Sequence, residues 1–152
     1  MSSETTDERR NRQLAELLNE LRLALPGVQM LFGFLLAVPF SQRFATISAT
    51  QQALYYTAFA SAAGASVCFI APTAFHRIVW QHGEKRVLLR VSSALAIAGT
   101  VFLAAAITSV MLFITSYLYG SAPAAFAGAV LLASLVTLWY VLPLALRLRT
   151  HR

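Results

Sequence analysis

Charged residues are scarce in this chain, and their scarcity excludes most functional classes. They make up 12% of the 152 residues, whereas hydrophobic residues make up 58%. A soluble domain usually carries about 25% charged residues, and a soluble fold of this size could not bury so much apolar surface. A disordered chain is excluded as well, because it needs low hydrophobicity and high charge. The composition therefore predicts an integral membrane protein.

Side chains that support catalysis or metal binding are also few. Cys68 is the single cysteine, so neither an intramolecular disulfide nor a cysteine-based metal site is expected. The three histidines, His76, His82 and His151, do not fall at matching depths in two spans, as a pair of haem ligands would require. The sequence has neither a nucleophile–base set nor a His-Glu zinc motif. We therefore expect a protein that is not an enzyme and holds no cofactor or metal.

Four long apolar runs dominate the rest of the sequence. A spanning helix needs about 20 apolar residues, and the runs predict spans at about 23–41, 53–75, 88–119 and 124–146. The predicted fold class is all-α, with four transmembrane helices packed as a bundle over residues 26–149. The connections between the spans are short, so any activity has to lie within the bundle or at its rims.

The first 25 residues predict a cytoplasmic segment with an amphipathic helix ahead of the first span. Its apolar face consists of leucines at helical spacing, namely Leu14, Leu17, Leu18, Leu21 and Leu25. Pro26 and Gly27 would then kink or break the helix. We expect this helix to lie in the head-group layer and to bend into the first span. The alternative is a straight extension of that span.

The basic residues predict the orientation. Eleven of the twelve lysines and arginines lie before the first span, after the second or after the fourth, and only Arg43 lies on the other side. The positive-inside rule then places both termini in the cytoplasm. Arg43 is expected to anchor the outer interface, with a lipid phosphate or a partner carboxylate as the alternative ligand. Because basic residues flank apolar runs, we expect membrane lipids and not nucleic acid as partners.

Carboxylates, the usual mark of ion-coupled transport, are missing from the predicted spans. Glu20 and Arg22 lie nearest the inner rim, and Gln29 is the only amide inside the first span. An amide in hydrocarbon needs partners, so Gln29 is expected to bond between helices or to cap the broken helix, with a place in a polar pore lining as the alternative. The hydroxyl groups that could extend a pore lining belong to Thr57, Ser61, Thr100, Thr108 and Ser109.

Small residues recur at intervals of about four, most regularly in the second and fourth spans. Small residues at this spacing let helix backbones approach closely. The predicted helix-packing residues are Ala60, Gly64, Cys68, Gly99, Ala124 and Gly128. They predict tight packing within the bundle or between copies of the chain, and they say little about activity.

Four short stretches carry a resemblance to a known family. They read NELR at 19–22, LPGVQ at 25–29, PFSQRF at 39–44 and APTAFHR at 71–77. They resemble a family of small four-span bacterial membrane proteins of unknown function, and the resemblance covers about residues 14–149. It implies the same fold in a bacterial inner membrane. Some members are labelled sodium:proton antiporter, a label that spans without a carboxylate do not support.

The leading hypothesis is a non-enzymatic structural or accessory protein that forms a homo-oligomer or joins a larger membrane complex. The alternative is an oligomeric channel or transporter for protons or small cations, with Gln29 in its lining and Glu20 and Arg22 at its inner mouth. A third hypothesis is binding of anionic lipid at the inner rim. The residues expected to bind that lipid are Arg77, Lys85, Arg86 and Arg90.

Overall fold

The computed structural model describes residues 6–79 and 85–150, and these are almost entirely helical. The helices are α1 (Thr6–Ala37), α2 (Ala49–Val79), α3 (Lys85–Tyr119), α4 (Ser121–Val136) and α5 (Leu142–Thr150). No strand occurs in the described ranges. Four segments are long and apolar enough to cross a membrane: Arg12–Phe40, Ala49–Phe75, Val87–Tyr119 and Ser121–Arg149. The predicted all-α class and the four span-length apolar helices are therefore confirmed.

Helix α1 continues through Pro26, where the sequence predicted a kink or a break. An interior proline removes one backbone hydrogen bond and costs about 3 kcal/mol. The buried residues of α1 recur every seven positions on both sides of it, at Leu14, Leu21, Val28 and Leu35. Because this one seam packs along its whole length, it can offset the cost of the proline. The structure thus has one continuous helix through Pro26, and a separate interfacial helix is not seen among the described residues.

The first three helices are antiparallel and share two apolar clusters. At one level Leu21 and Val28 of α1 pack with Ala65 and Phe69 of α2. At the other level Leu35 of α1 joins a cluster with Ala58, Ala62 and Ala106. The alanines of α2 in these clusters are completely buried. Small side chains therefore bring α2 close to both neighbours, as van der Waals packing between apolar helices requires.

Two turns of 3-10 helix connect α1 to α2, and local hydrogen bonds fix this connection. Pro39 has no N–H for the carbonyl of Leu35, four residues earlier. The Tyr55 hydroxyl of α2 donates to that carbonyl oxygen at 3.0 Å. Ser48 and Gln51 form a capping box at the start of α2, because each side chain accepts a hydrogen bond from the other's backbone N–H. These hydrogen bonds hold the connection in place at the end of the bundle.

The fourth candidate span packs differently from the other three. After a turn at Gly120, whose φ is 89°, α4 runs back along α3 and makes no comparable contact with α1 or α2. A π-helical turn at Thr137–Val141 separates α4 from α5. Pro143 accounts for this turn, because it offers no N–H to the carbonyl of Trp139 and its ring crowds that carbonyl. The only buried residues of α4 are Ala124 and Gly128.

Candidate functional site

The three predicted pore or relay residues all lie on the surface of α1. Glu20, Arg22 and Gln29 are exposed. In the described part of the chain, no side-chain hydrogen bond or ion pair joins any two of them. They therefore do not form a polar path inside one copy of the protein, and a pore through them would need several copies.

Gln29 lies on a distinct face of α1, which we call the Gln29 face and which consists of Pro26, Gln29, Met30 and Gly33. All four residues are exposed. The Gln29 amide makes no hydrogen bond to another described side chain or backbone group. At Gly33 a methyl group would meet no atom within 4 Å, so the chain itself leaves this face open. A second helix could approach the backbone of α1 closely here.

The hydroxyl groups predicted to line a pore differ in their surroundings. Some are buried, and another is hydrogen-bonded within its own helix. Ser61, Thr108 and Ser109 are buried, whereas Thr57 is exposed and donates to the carbonyl of Ala53 at 2.8 Å. The Thr108 hydroxyl has no hydrogen-bond partner, and the same holds for Ser92, which sequence reasoning missed. A buried hydroxyl without a partner is uncommon in a folded protein, so these two groups are candidates for binding a water molecule or an ion.

Thr100 forms a hydrogen bond between helices. Its hydroxyl donates to the carbonyl of Ile97 at 2.8 Å, so its oxygen accepts from the Tyr140 hydroxyl at 2.7 Å. Tyr140 lies in the π-helical turn of the fourth candidate span. This bond therefore fixes the register of that span on α3. Sequence analysis had assigned Thr100 to a pore lining and had no signal for its partner.

Large side chains of the same chain pack against all three glycines among the predicted packing residues. A methyl group on Gly64 would lie 3.1 Å from the Phe102 ring. On Gly99 it would overlap the Phe69 ring, and on Gly128 it would overlap the Leu112 side chain. Helices α2 and α3 therefore interlock, because each inserts a phenylalanine at a glycine of the other. Gly128 of α4 likewise leaves space for the Leu112 side chain of α3.

The other three predicted packing residues differ in how far they are buried. Ala124 is buried, Cys68 is half-buried and Ala60 is exposed.

Of the four predicted lipid-binding residues, Arg90 is exposed near the start of α3. The side chains of Arg77, Lys85 and Arg86 lie outside the part of the chain that the structure describes. No group of three histidine, cysteine, aspartate or glutamate side chains in the described ranges could hold a metal ion.

A pocket of about 310 Å³ lies between the α1–α2 connection and the C-terminal part of α3. We call it the loop pocket. Its walls are mainly apolar and include Val38, Phe44, Ile47, Phe113, Ile114 and Leu118. Ser41, Gln42, Arg43 and Tyr117 also line it. None of the predicted pore residues lines it. Sequence analysis had singled out Arg43 as an anchor, but the apolar walls come from two distant segments and gave no local signal.

An aromatic cluster supports the loop pocket from behind. Tyr55 packs edge-on against Phe44 with ring centres 5.0 Å apart, and its ring centre lies 6.2 Å from that of Phe113. Phe59 and Phe32 extend the cluster with a stacked pair at 4.9 Å. Two of these rings, Phe44 and Phe113, are also pocket walls. The walls are thus held in place by packing that does not depend on an occupant.

The fold and these sites define an all-helical protein with four helices able to cross a membrane, an open amide-bearing face and an apolar pocket with one arginine. The chain belongs to the family of unknown function DUF6328, which matches residues 3–143. Comparison with curated proteins and with solved structures returns no match to the chain.

Proposed function

We propose that this chain is a small non-enzymatic, multi-pass protein of a bacterial plasma membrane, with both termini in the cytoplasm. Its role is structural or accessory, and it self-associates or joins a larger membrane complex. Membrane lipids surround the apolar faces of the bundle. The observation that carries the proposal is the exposed, unpaired amide of Gln29 within an open helix face.

The depth of Gln29 makes its amide costly to leave alone. It lies eleven residues before Phe40, the end of the first candidate span, which corresponds to about 16 Å along a helix. The hydrocarbon core is about 30 Å thick, so Gln29 lies close to its middle. An amide without a partner costs about 4–8 kcal/mol in hydrocarbon. A protein partner at this depth would remove that cost.

A second copy of the chain fits the Gln29 face. In a two-fold dimer the same face of each α1 meets its counterpart, so each Gln29 can both donate to and accept from the other. Gly33 lies one turn away and lets the two backbones approach. The polar contact is expected to contribute about 0.6 to 1.7 kcal/mol to association.

The test is the Gln29→Leu variant, measured by energy transfer between labelled chains in liposomes. We expect the dissociation constant of the dimer to rise about threefold to twentyfold, as loss of that polar contact implies. Gln52→Leu is the matched control, because Gln52 is an exposed glutamine near the start of α2. If Gln29→Leu leaves association unchanged and the wild type purifies with other proteins, the accessory role stands and self-association through this face is wrong.

The oligomeric channel or transporter for protons or small cations is the second candidate. It is favoured by the buried hydroxyls of Ser92 and Thr108, which have no partner in the described structure. Liposomes that contain uniformly oriented protein would be assayed for proton and sodium flux. Flux that falls in Thr108→Val and persists in Thr57→Val would support a path through the bundle. Absence of flux above that of empty liposomes would contradict it.

Anionic lipid at the inner rim is the third proposal, through Arg77, Lys85, Arg86 and Arg90. Each basic residue near an anionic surface contributes about 1 kcal/mol. Joint neutralisation of the four is therefore expected to abolish co-purification of anionic lipid at this rim. Retention of the same lipid after neutralisation would place its binding elsewhere.

A further inference from the structure

The loop pocket is a preformed cavity with one cationic residue, Arg43, among those that line it. Its volume of about 310 Å³ lies at the lower end of the range for small-ligand pockets. Phe44 and Phe113 form part of its walls and are held by Tyr55, whose hydroxyl is bonded to the end of α1. The cavity therefore does not need a ligand to form, which lowers the cost of binding one.

Arg43 lies far along the chain from every acidic side chain. The sequence contains no acidic residue between Glu20 and Glu84, and none after Glu84. Its backbone carbonyl accepts bonds from Thr46, but no ion pair involves its guanidinium in the described structure. Arg43 is the one charged residue among those named as lining the loop pocket. A ligand from outside the chain can supply the anion that neutralises it.

The chemistry of the pocket narrows the identity of that anion. A free phosphate ion would satisfy Arg43 but would leave the apolar walls formed by Phe44, Ile114 and Leu118 without a partner. A molecule with an anionic head and an apolar chain would satisfy both regions. Phosphate oxygens match the planar donor pattern of a guanidinium. Ser41, Gln42 and Tyr117 also line the pocket, and their side chains are of types that can hydrogen-bond such a head.

We infer that the loop pocket binds an anionic phospholipid of the outer leaflet, with the phosphate on Arg43 and one acyl chain along the apolar walls. The inference rests on the membrane placement and orientation proposed above, and it is independent of self-association through Gln29. Lipids with a zwitterionic head bind less tightly, because their own ammonium group competes for the phosphate.

The test measures phosphatidylglycerol bound per chain by native mass spectrometry of the purified monomer in a mild detergent, with phosphatidylcholine as the comparison lipid. Arg43→Gln is expected to weaken phosphatidylglycerol binding about tenfold or more, because a hydrogen bond to a charged group is lost. Arg43→Lys keeps the charge and is expected to retain part of the affinity. Arg147→Gln is the matched control, since Arg147 is an exposed arginine of α5 that does not line the loop pocket.

A second variant addresses the apolar part of the pocket. Ile114→Trp fills the cavity while leaving Arg43 in place, and Ile114 is 48% exposed, so the larger side chain can be accommodated. It is expected to weaken binding of both lipids, with the helix content unchanged by circular dichroism. Phosphatidylglycerol binding by Arg43→Gln within about twofold of the wild type, or an equal loss of binding in Arg147→Gln, would overturn the inference. Monomer measurements keep this outcome separate from a failure of self-association.

Discussion

Helix α2 and the fourth candidate span show that the more apolar of two segments is not always the more buried one. Within its most apolar 18-residue stretch, 39% of the residues of α2 are buried, whereas in the fourth span none is. Yet the fourth span is the more apolar of the two. In a membrane, lipid solvates apolar side chains as well as another helix does. Hydropathy therefore indicates which segments can cross, and it does not indicate which segments are enclosed by protein.

Side-chain size separates the two helices better than hydropathy does. Ala58, Ala62 and Ala65 of α2 are fully buried and admit neighbouring helices on both sides. The fourth span has two buried small residues, Ala124 and Gly128, and they contact one neighbour only. The comparison predicts that substitutions along α2 affect folding strongly, whereas most substitutions along the fourth span affect only its surface.

The largest effect is expected for Phe69→Ala in α2. Phe69 is 1% exposed and packs onto Gly99, so its removal leaves a cavity that the neighbouring helices cannot close. We expect the free energy of unfolding to fall by about 3 kcal/mol. The matched control is Phe126→Ala in α4, because Phe126 is 74% exposed. Denaturant titration in mixed micelles, followed by circular dichroism, measures both. Equal losses would mean that α4 is as enclosed as α2.

Glycine-to-alanine substitutions give the next largest difference. At Gly99 the new methyl group overlaps the buried ring of Phe69, which has no free space to move into. We expect a loss of about 2 kcal/mol in unfolding free energy, typical of overpacking. At Gly128 the methyl meets the flexible side chain of Leu112, so we expect a smaller loss. Gly27→Ala is the control without neighbours, and it should be neutral or slightly stabilising. A loss of stability in Gly27→Ala would contradict this ranking.

Much of the fold could be predicted from the sequence because apolar run length dictates it. The predicted spans agree with the observed candidate spans to within a few residues at most ends, since a charge, proline or glycine bounds each run. The first span is the exception. Its helix extends back past Arg22 and Glu20, because the same heptad seam that packs after Pro26 also packs before it. Local proline chemistry predicted a kink or a break, and the helix continues through Pro26 without a break.

The candidate sites were harder to predict because they depend on distant segments. The loop pocket combines the α1–α2 connection with residues 113–118, about seventy positions further along the chain. The hydrogen bond between Thr100 and Tyr140 likewise joins two helices, and Tyr140 reaches it from a π-helical turn. The residue types were visible in the sequence, but the contacts between them were not.

Two tyrosines make the comparison sharper, because each donates one hydrogen bond between helices. Tyr55 of α2 is buried and donates to the Leu35 carbonyl that Pro39 leaves without a helical partner. Tyr55→Phe leaves this buried acceptor unpaired, so we expect a loss of about 1–2 kcal/mol in unfolding free energy. Tyr56→Phe is the neighbouring control, since Tyr56 is 67% exposed. An unchanged stability would show that water satisfies the carbonyl and that the pocket wall does not depend on this bond.

The smallest effect is expected for Tyr140→Phe in the fourth span. Its partner Thr100 keeps the bond to the Ile97 carbonyl, so only the contact between the two helices is lost. Such contacts average about 0.6 kcal/mol in a membrane. A double-mutant cycle with Thr100→Val isolates the pair, and Tyr119→Phe at the exposed end of α3 is the control. A coupling close to that of the Tyr55 pair would mean that polar contacts hold the fourth span as firmly as α2. A coupling near zero would leave the contact of Leu112 with Gly128 as the main attachment of this span to α3.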